Sequence, residues 1–217
     1  MHIKLCGLKT PEAIDAAIAE GATHLGFIFF EKSPRNVTRE LAATLAANAR
    51  AKAGAPKLVA VTVDAEDGFL DAIVKAVRPD MLQLHGRETP QRLEELKARH
   101  GLPVMKAFSI SSREDLARIE PYRGVADAFL FDAKPPKGSE LPGGNAVSFD
   151  WTLLNGLPSG IDWFLSGGIH AGNVGEAMRI ANPPGLDLSS GVESSPGVKD
   201  VKLIAAFFDA VQTARGD

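Results

Sequence analysis

The sequence has a single cysteine, Cys6, and no long apolar run among its 217 residues. One cysteine excludes an intramolecular disulfide and fits a reducing compartment, so we expect a cytoplasmic protein. No segment approaches the roughly eighteen uncharged apolar residues of a membrane span. The start, M-H-I-K-L-C-G, lacks the basic residues and apolar core of a signal peptide. We therefore expect no membrane association.

An excess of basic charge is also missing. The formal net charge is −3 and the isoelectric point is about 6.0, which argues against nucleic acid or an anionic membrane as partner. Apolar residues make up 45% of the chain, enough for a sizeable core. No linker rich in proline, glycine and serine separates two cores, so we predict one domain over residues 1–217. Oligomeric state cannot be derived from these features.

Several sequence signatures of catalysis are absent. There is no H-x-x-x-H or C-x-x-C spacing, and the five histidines are scattered, so no metal site is predicted. The serine-nucleophile signature G-x-S-x-G is missing as well. These absences turn attention to the order of strands and helices.

Short apolar runs rich in β-branched and aromatic residues alternate with longer amphipathic segments along the chain. The predicted strands are 3–6, 24–30, 57–63, 81–85, 103–108, 128–132, 163–166 and 186–189. The predicted helices are 11–20, 39–52, 66–77, 88–100, 112–120, 172–181 and 199–214. Between the sixth and seventh strands the proline- and glycine-rich residues 133–145 predict a long loop, followed by a short helix at 150–155.

Eight such alternations predict an α/β protein with a parallel sheet. The strands are apolar on both faces, as expected for a sheet covered by helices. The chain length suits a compact (β/α)8 TIM barrel. A doubly wound open sheet is the alternative, but no G-x-G-x-x-G follows the first strand. We therefore predict the barrel.

Catalytic groups of such barrels lie at the C-terminal ends of the strands. That rule selects Cys6, Arg35, His85 and Asp132. Each also has an ordinary structural explanation: Cys6 as a buried apolar residue, Arg35 as a solvated surface side chain, and His85 as a partner of a backbone carbonyl. Asp132 is harder to explain in this way, because it ends the apolar run A-F-L-F and a buried carboxylate needs a partner or a purpose.

Two glycine-containing turns follow the seventh and eighth strands. S-G-G-I (166–169) and S-S-G-V-E-S-S-P-G-V-K-D (189–200) expose backbone N–H groups, and loops at these positions often bind phosphate. Gly191 is expected to open a short helix there, with its N-terminus toward the phosphate. Tight turns without a ligand are the alternative explanation for these glycines.

Together these segments resemble the phosphoribosylanthranilate isomerase family of tryptophan biosynthesis. The matching motifs extend over nearly the whole chain in the family's order: K-L-C-G-L-K (4–9), G-F-I-F-F-E-K-S-P-R (26–35), L-Q-L-H-G-R-E (82–88), L-F-D (130–132), S-F-D-W (148–151), L-S-G-G-I (165–169) and D-L-S-S-G-V-E-S-S-P-G-V-K-D (187–200). The resemblance implies a (β/α)8 barrel without cofactor or metal, acting on a small phosphosugar. The implied reaction is the Amadori rearrangement of N-(5-phosphoribosyl)anthranilate to 1-(2-carboxyphenylamino)-1-deoxyribulose 5-phosphate.

The resemblance also implies roles for individual residues. The general base falls on Cys6 and the general acid on Asp132. Substrate binding falls on Arg35, which would contact the anthranilate carboxylate, and on His85. Phosphate binding falls on four residues of the two turns: Gly167, Gly168, Ser190 and Gly191. For these proton transfers, the pKa of the Asp132 carboxyl must be raised from about 3.9. The pKa of the Cys6 thiol must be lowered from about 8.5 toward neutrality.

Two other functions fit part of the pattern. The isomerase of the histidine pathway carries out the same rearrangement on another aglycone, but it resembles two half-barrels with a carboxylate at two strand ends. Here Cys6 ends the first strand, and the two halves show no repeat. A non-catalytic phosphate-binding barrel is the second alternative, and loss of Cys6 or Asp132 would favour it; both are present.

Overall fold

The computed structural model describes residues 1–134, 143 and 148–216. Eight parallel strands form a closed barrel in sequence order, and β1 pairs with β8 to close it. The barrel predicted from the alternating pattern is therefore confirmed, and the open sheet is wrong. The strands are β1 (His2–Cys6), β2 (His24–Phe29), β3 (Lys57–Thr62), β4 (Met81–Leu84), β5 (Val104–Ile110), β6 (Ala128–Ala133), β7 (Trp163–Leu165) and β8 (Gly185–Leu188).

Helices connect most successive strands and cover the outside of the barrel. Thr10 and Thr38 cap α1 and α2 by accepting hydrogen bonds from Ala13 N (3.3 Å) and Leu41 N (3.2 Å), as their side chains predict. The helices are α1 (Pro11–Ala19), α2 (Arg39–Arg50), α3 (Asp67–Val77), α4 (Pro90–His100), α5 (Arg113–Ala117), α6 (Val174–Ala181) and α7 (Val201–Arg215). No helix among the described residues is long and apolar enough to cross a membrane.

Two apolar clusters explain why the strands lack a polar face. The larger cluster lies between the strands and the helices. The smaller one fills the inside of the barrel and contains Cys6 with residues such as Val59, Met105 and Leu130. Because side chains alternate across a strand, both faces are buried and both are apolar. Polar side chains inside the barrel therefore stand out.

Two predicted elements differ from the structure, and a third lies mostly outside the described residues. The helix predicted at 112–120 is only the five-residue α5 followed by a 3-10 turn at Glu120–Tyr122, because Pro121 has no N–H to continue the α-helical hydrogen bonds. The short helix predicted at 150–155 is a 3-10 helix at Trp151–Leu154. Most of the loop predicted at 133–145 lies outside the described residues.

The segment after β8 also differs from the prediction. The short helix expected at Gly191 is a 3-10 helix of only three residues, Ser190–Val192. It leads into a hairpin of β9 (Glu193–Ser195) and β10 (Val198–Lys199). Gly197 has a φ of +82°, a conformation that glycine adopts without strain and that reverses the chain. The hairpin brings β10 back beside the pocket, where α7 then begins.

Candidate active site

One pocket lies at the C-terminal end of the barrel and collects the predicted site residues. Its cavity volume is about 70 Å³. Its lining includes Cys6, Arg35, His85, Asp132, Gly167, Gly168 and Ser190. Gly191 lines an adjoining cavity with Gly168, His170 and Ser190. The structure thus brings all eight predicted residues to one end of the barrel.

Asp132 is a buried carboxyl group near the end of β6. Its side chain is 5% exposed, and Oδ1 accepts a hydrogen bond from Ala133 N at 2.8 Å. Burial and the nearby charge of Asp187 raise the pKa of Asp132 to about 7. The raised pKa predicted for this carboxyl is confirmed, and the group is close to half protonated at neutral pH.

His85 lies beside Asp132 as a neutral imidazole. Its Nε2 is 3.6 Å from Asp132 Oδ2, and its Nδ1 is 3.3 Å from Gln83 Nε2. Burial and the charge of Lys106 lower the pKa of His85 to about 4, so the contact with Asp132 is not an ion pair at neutral pH. Nε2 has no hydrogen-bond partner within the described part of the chain. A substrate atom in the pocket could supply one.

Cys6 ends β1 with its side chain in the pocket. Burial raises the pKa of the Cys6 thiol above its ordinary value, while the positive charges of Lys4 and Lys199 oppose this shift. The expectation of a lowered thiol pKa is therefore wrong for this structure. The physical reason is that removing a thiolate from water costs more than the two lysines return. The thiol is the resting form of this group.

Arg35 is buried instead of solvated. Its side chain is 5% exposed, and two of its nitrogens, Nε and Nη2, donate to the two carboxylate oxygens of Glu193 at 2.8 Å each. Glu193 also accepts from Lys199 Nζ at 2.6 Å, and these cations hold its pKa low against the effect of burial. Gly7 has a φ of +77°, and a Cβ there would lie 2.8 Å from Arg35 Cδ. The glycine after Cys6 thus makes room for Arg35.

The two glycine turns meet where strands β7 and β8 end. Gly167 and Gly168 have φ values of +87° and +64°, and a Cβ at Gly191 would collide with the carbonyl oxygen of Ile169. Among the hydrogen bonds of the described residues, none uses the backbone N–H of Gly168, Ser190 or Gly191. These N–H groups could bind a phosphate. A helix dipole cannot assist, because the turn at Ser190 spans only three residues.

Four charged residues of the site were missed in the sequence: Lys4, Asp187, Glu193 and Lys199. Lys4 and Asp187 interrupt the apolar strands β1 and β8, and a charge inside such a strand was a usable signal. Glu193 and Lys199 come from the hairpin, whose fold was not predicted. The described residues contain no group of three or more His, Cys, Asp or Glu side chains placed to hold a metal.

Comparison with protein families gives a match over almost the whole chain. Residues 3–210 match the family described as N-(5'phosphoribosyl)anthranilate (PRA) isomerase. A protein of Mesorhizobium japonicum named N-(5'-phosphoribosyl)anthranilate isomerase is 63% identical over 217 residues, which cover 100% of this chain and 98% of that protein. One of the same name from Brucella canis is 63% identical over 214 residues, covering 99% and 95%.

Solved structures agree with these sequence relatives. Phosphoribosyl anthranilate isomerase from Thermotoga maritima superimposes with a TM-score of 0.86 at 30% identity, covering 100% of both chains. A phosphoribosyl anthranilate isomerase in complex with reduced 1-(o-carboxyphenylamino)-1-deoxyribulose 5-phosphate has a TM-score of 0.83 at 28% identity, again over 100% of both chains.

Proposed function

This chain belongs to the N-(5'-phosphoribosyl)anthranilate isomerase family, and we propose that Asp132 and Cys6 carry out the proton transfers of its reaction. It is an isomerase that converts N-(5-phosphoribosyl)anthranilate to 1-(2-carboxyphenylamino)-1-deoxyribulose 5-phosphate in tryptophan biosynthesis. The reaction is an Amadori rearrangement: an aminoaldose becomes an aminoketose. The observation that carries the assignment is one pocket holding a carboxyl group with a pKa of about 7 and a thiol.

Asp132 is the general acid of the first step. The carboxyl group gives its proton to the furanose oxygen, the bond from that oxygen to C1′ breaks, and an iminium forms at C1′. A donor must still hold its proton near neutral pH for this step. Burial beside Asp187 gives Asp132 that property. Its neighbour His85 is neutral at this pH, so it adds no positive charge that would ionise the acid.

Cys6 is the general base of the second step. The thiolate takes the proton from C2′, the electron pair forms an enolamine, and the enolamine tautomerises to the ketone. Because the thiol pKa is raised and the carboxyl pKa is about 7, the two groups share one proton over a broad pH range. The reactive form, with the proton on Asp132 and the thiolate on Cys6, is the minor tautomer of that pair.

Substrate binding is assigned to the residues around these two groups. Arg35 lies in the pocket with its guanidinium plane fixed by Glu193, and its fork suits the carboxylate of anthranilate. His85 has an Nε2 atom available for a substrate hydroxyl. The phosphate falls on the N–H groups of the turns that contain Gly167, Gly168, Ser190 and Gly191, which reach the pocket or its adjoining cavity.

We also propose a single domain and a cytoplasmic location. The pairing of β1 with β8 joins the two ends of the chain in one barrel, which supports a single domain over residues 1–217. The lone cysteine supports a cytoplasmic location.

The test compares Cys6→Ala and Asp132→Asn with the unmodified chain. Phosphoribosylanthranilate is generated in situ, and its consumption is followed by the loss of its fluorescence. Each variant should lose about 10²- to 10⁴-fold in turnover, the usual contribution of a general acid or base. Asp127→Asn is the matched control: Asp127 precedes β6, at the end of the barrel far from the pocket, and its side chain is 38% exposed. Near-native turnover of folded Cys6→Ala or Asp132→Asn would contradict the assignment.

A further inference from the structure

A buried ion pair that the proton transfers do not use lies next to Cys6. Lys4 Nζ donates to Asp187 Oδ1 at 2.7 Å, and Ser166 Oγ donates to Asp187 Oδ2 at 3.1 Å. The Lys4 side chain is 0% exposed and that of Asp187 is 7% exposed. Moving an ammonium group and a carboxylate out of water costs free energy that their mutual attraction only partly returns. A buried pair at this position therefore suggests a functional role.

The register of the barrel places this pair against the sulfur. Lys4 and Cys6 are two residues apart on β1 and therefore point to the same face of the strand. Lys4 is paired with Asp187 on β8, and Cys6 is paired with Gly26 on β2. A Cβ built on Gly26 would lie 3.0 Å from Cys6 Sγ and 3.3 Å from Lys4 Nζ. Because Gly26 has no side chain, the space beside it stays open, and both the Cys6 sulfur and the Lys4 ammonium lie next to that space.

Lys4 keeps its positive charge in this position. Burial would lower the pKa of Lys4, but the charge of Asp187 and the charge and hydrogen bond of Cys6 raise it above the ordinary value. An ammonium group has three donors, and within the described residues Asp187 accepts one of them at 2.7 Å. Another donor is thus available toward the sulfur.

We propose that Lys4, held in place by Asp187, is the counter-ion of the Cys6 thiolate. Lys4 acts through Cys6 and is a positioning residue. This inference rests on the proposed function in taking Cys6 as the base. In that role Lys4 favours the reactive tautomer, because a positive charge beside the sulfur stabilises the thiolate more than it stabilises the neutral thiol.

Other charges face the same two groups and bear on the test. Asp187 raises the pKa of Cys6, and Lys199 lowers it less than Lys4 does. Lys199 is held by Glu193 and by the carbonyl and hydroxyl oxygens of Ser189. On Asp132, the charge of Asp187 raises the pKa, while Lys4 and Arg35 lower it. Removing Lys4 should therefore change the pKa of the Cys6 thiol strongly and the pKa of the Asp132 carboxyl less.

The experiment measures alkylation of Cys6 by iodoacetamide between pH 6.5 and 10. Cys6 is the only cysteine of the chain, so the rate reports this thiol alone, without turnover or substrate. In Lys4→Met, Cys6 should be alkylated about tenfold more slowly at pH 8.5. The reason is that losing a neighbouring positive charge raises the pKa of a thiol by roughly one unit or more. Lys4→Arg should restore most of the rate.

Lys106→Met is the matched control. Lys106 is a second buried lysine with a carboxylate partner, Glu88, at 3.3 Å. The charges with the largest effects on the pKa of Cys6 are instead those of Lys4, Asp187 and Lys199. Its loss should lower the free energy of unfolding and leave the alkylation rate unchanged. Should Lys4→Met not fold, Lys4→Gln keeps a polar side chain for Asp187 and removes only the charge, with the same slowing expected.

The results separate this inference from the assignment of Cys6 as base. Alkylation of folded Lys4→Met or Lys4→Gln at the unmodified rate would overturn the counter-ion proposal, even with Cys6→Ala inactive. Slower alkylation restored by Lys4→Arg would support it. Full activity of Cys6→Ala would overturn the general-base assignment alone, because the alkylation rate reports the charge state of the sulfur whether or not turnover uses it.

Discussion

Replacing Asp132 by Asn should make the protein more stable at alkaline pH while it removes activity. Asp132 is buried with a pKa raised to about 7 by burial and by Asp187. In the unfolded chain the same carboxyl titrates near 3.9. Between these two values the folded state holds a proton that the unfolded state has released. The stability of the wild-type protein therefore falls as pH rises through this range.

The size of this effect follows from the two pKa values. One pKa unit corresponds to 1.36 kcal/mol. From pH 5 to pH 8, a carboxyl with a pKa of about 7 in the folded state loses roughly 2–3 kcal/mol of stability relative to a side chain that does not titrate. The asparagine of the variant has nearly the same shape as the aspartate and no ionisation. The free energy of unfolding of the variant should therefore increase by that amount relative to the wild-type value over the same pH range.

Urea denaturation at pH 5, 6, 7 and 8 measures the free energy of unfolding of both proteins. The difference between variant and wild type should grow steadily with pH, with most of the change below pH 7. Asp127→Asn serves again as the control for exchanging a carboxyl group for an amide, since the side chain of Asp127 is partly exposed and lies far from the pocket. Parallel stability curves for wild type and Asp132→Asn would refute the reasoning, because they would show that Asp132 titrates at the same pH in both states.

Three further predictions concern activity. The value of kcat/KM should rise with pH through about pH 7, where Asp132 and Cys6 together lose their first proton. It should then stay constant until the second proton leaves at alkaline pH. A rise of kcat/KM near pH 4 would contradict the raised carboxyl pKa. Arg35→Lys should raise KM about tenfold or more with little change in kcat, because one ammonium cannot keep both contacts to Glu193 and bind a carboxylate. Steady-state kinetics test this, and an unchanged KM would show that Arg35 does not bind the substrate. Gly191→Ala should weaken competitive inhibition by inorganic phosphate, since its Cβ would push against the Ile169 carbonyl; equal inhibition constants would place the phosphate elsewhere.

The strand and helix pattern was readable because each element carries its own signal. The barrel strands are apolar on both faces, and most helices begin at a capping side chain such as Thr10 or Thr38. Failures came where one residue ends or redirects an element. Pro121 shortened the helix predicted at 112–120. The short helix expected at Gly191 is a three-residue 3-10 helix, and the chain then enters a hairpin that reverses at Gly197.

The candidate site was partly predictable for a different reason. In a parallel barrel every strand ends at the same rim, so position along the chain alone placed Cys6 and Asp132 in one pocket. Charge states do not follow from position. The thiol pKa was expected to fall and instead is raised, because it depends on burial and on Lys4 and Asp187, which come from opposite ends of the chain.

By itself, the sequence determined the order of eight strands, the barrel and the identity of the acid and base candidates, since these depend on local periodicity and on family motifs. Only the tertiary structure decided which charges surround them. Lys4 and Asp187 are 183 residues apart and meet because β1 closes the barrel against β8. Their distances set the electrostatic energies at Cys6 and Asp132, and distances between remote residues exist only once the chain has folded.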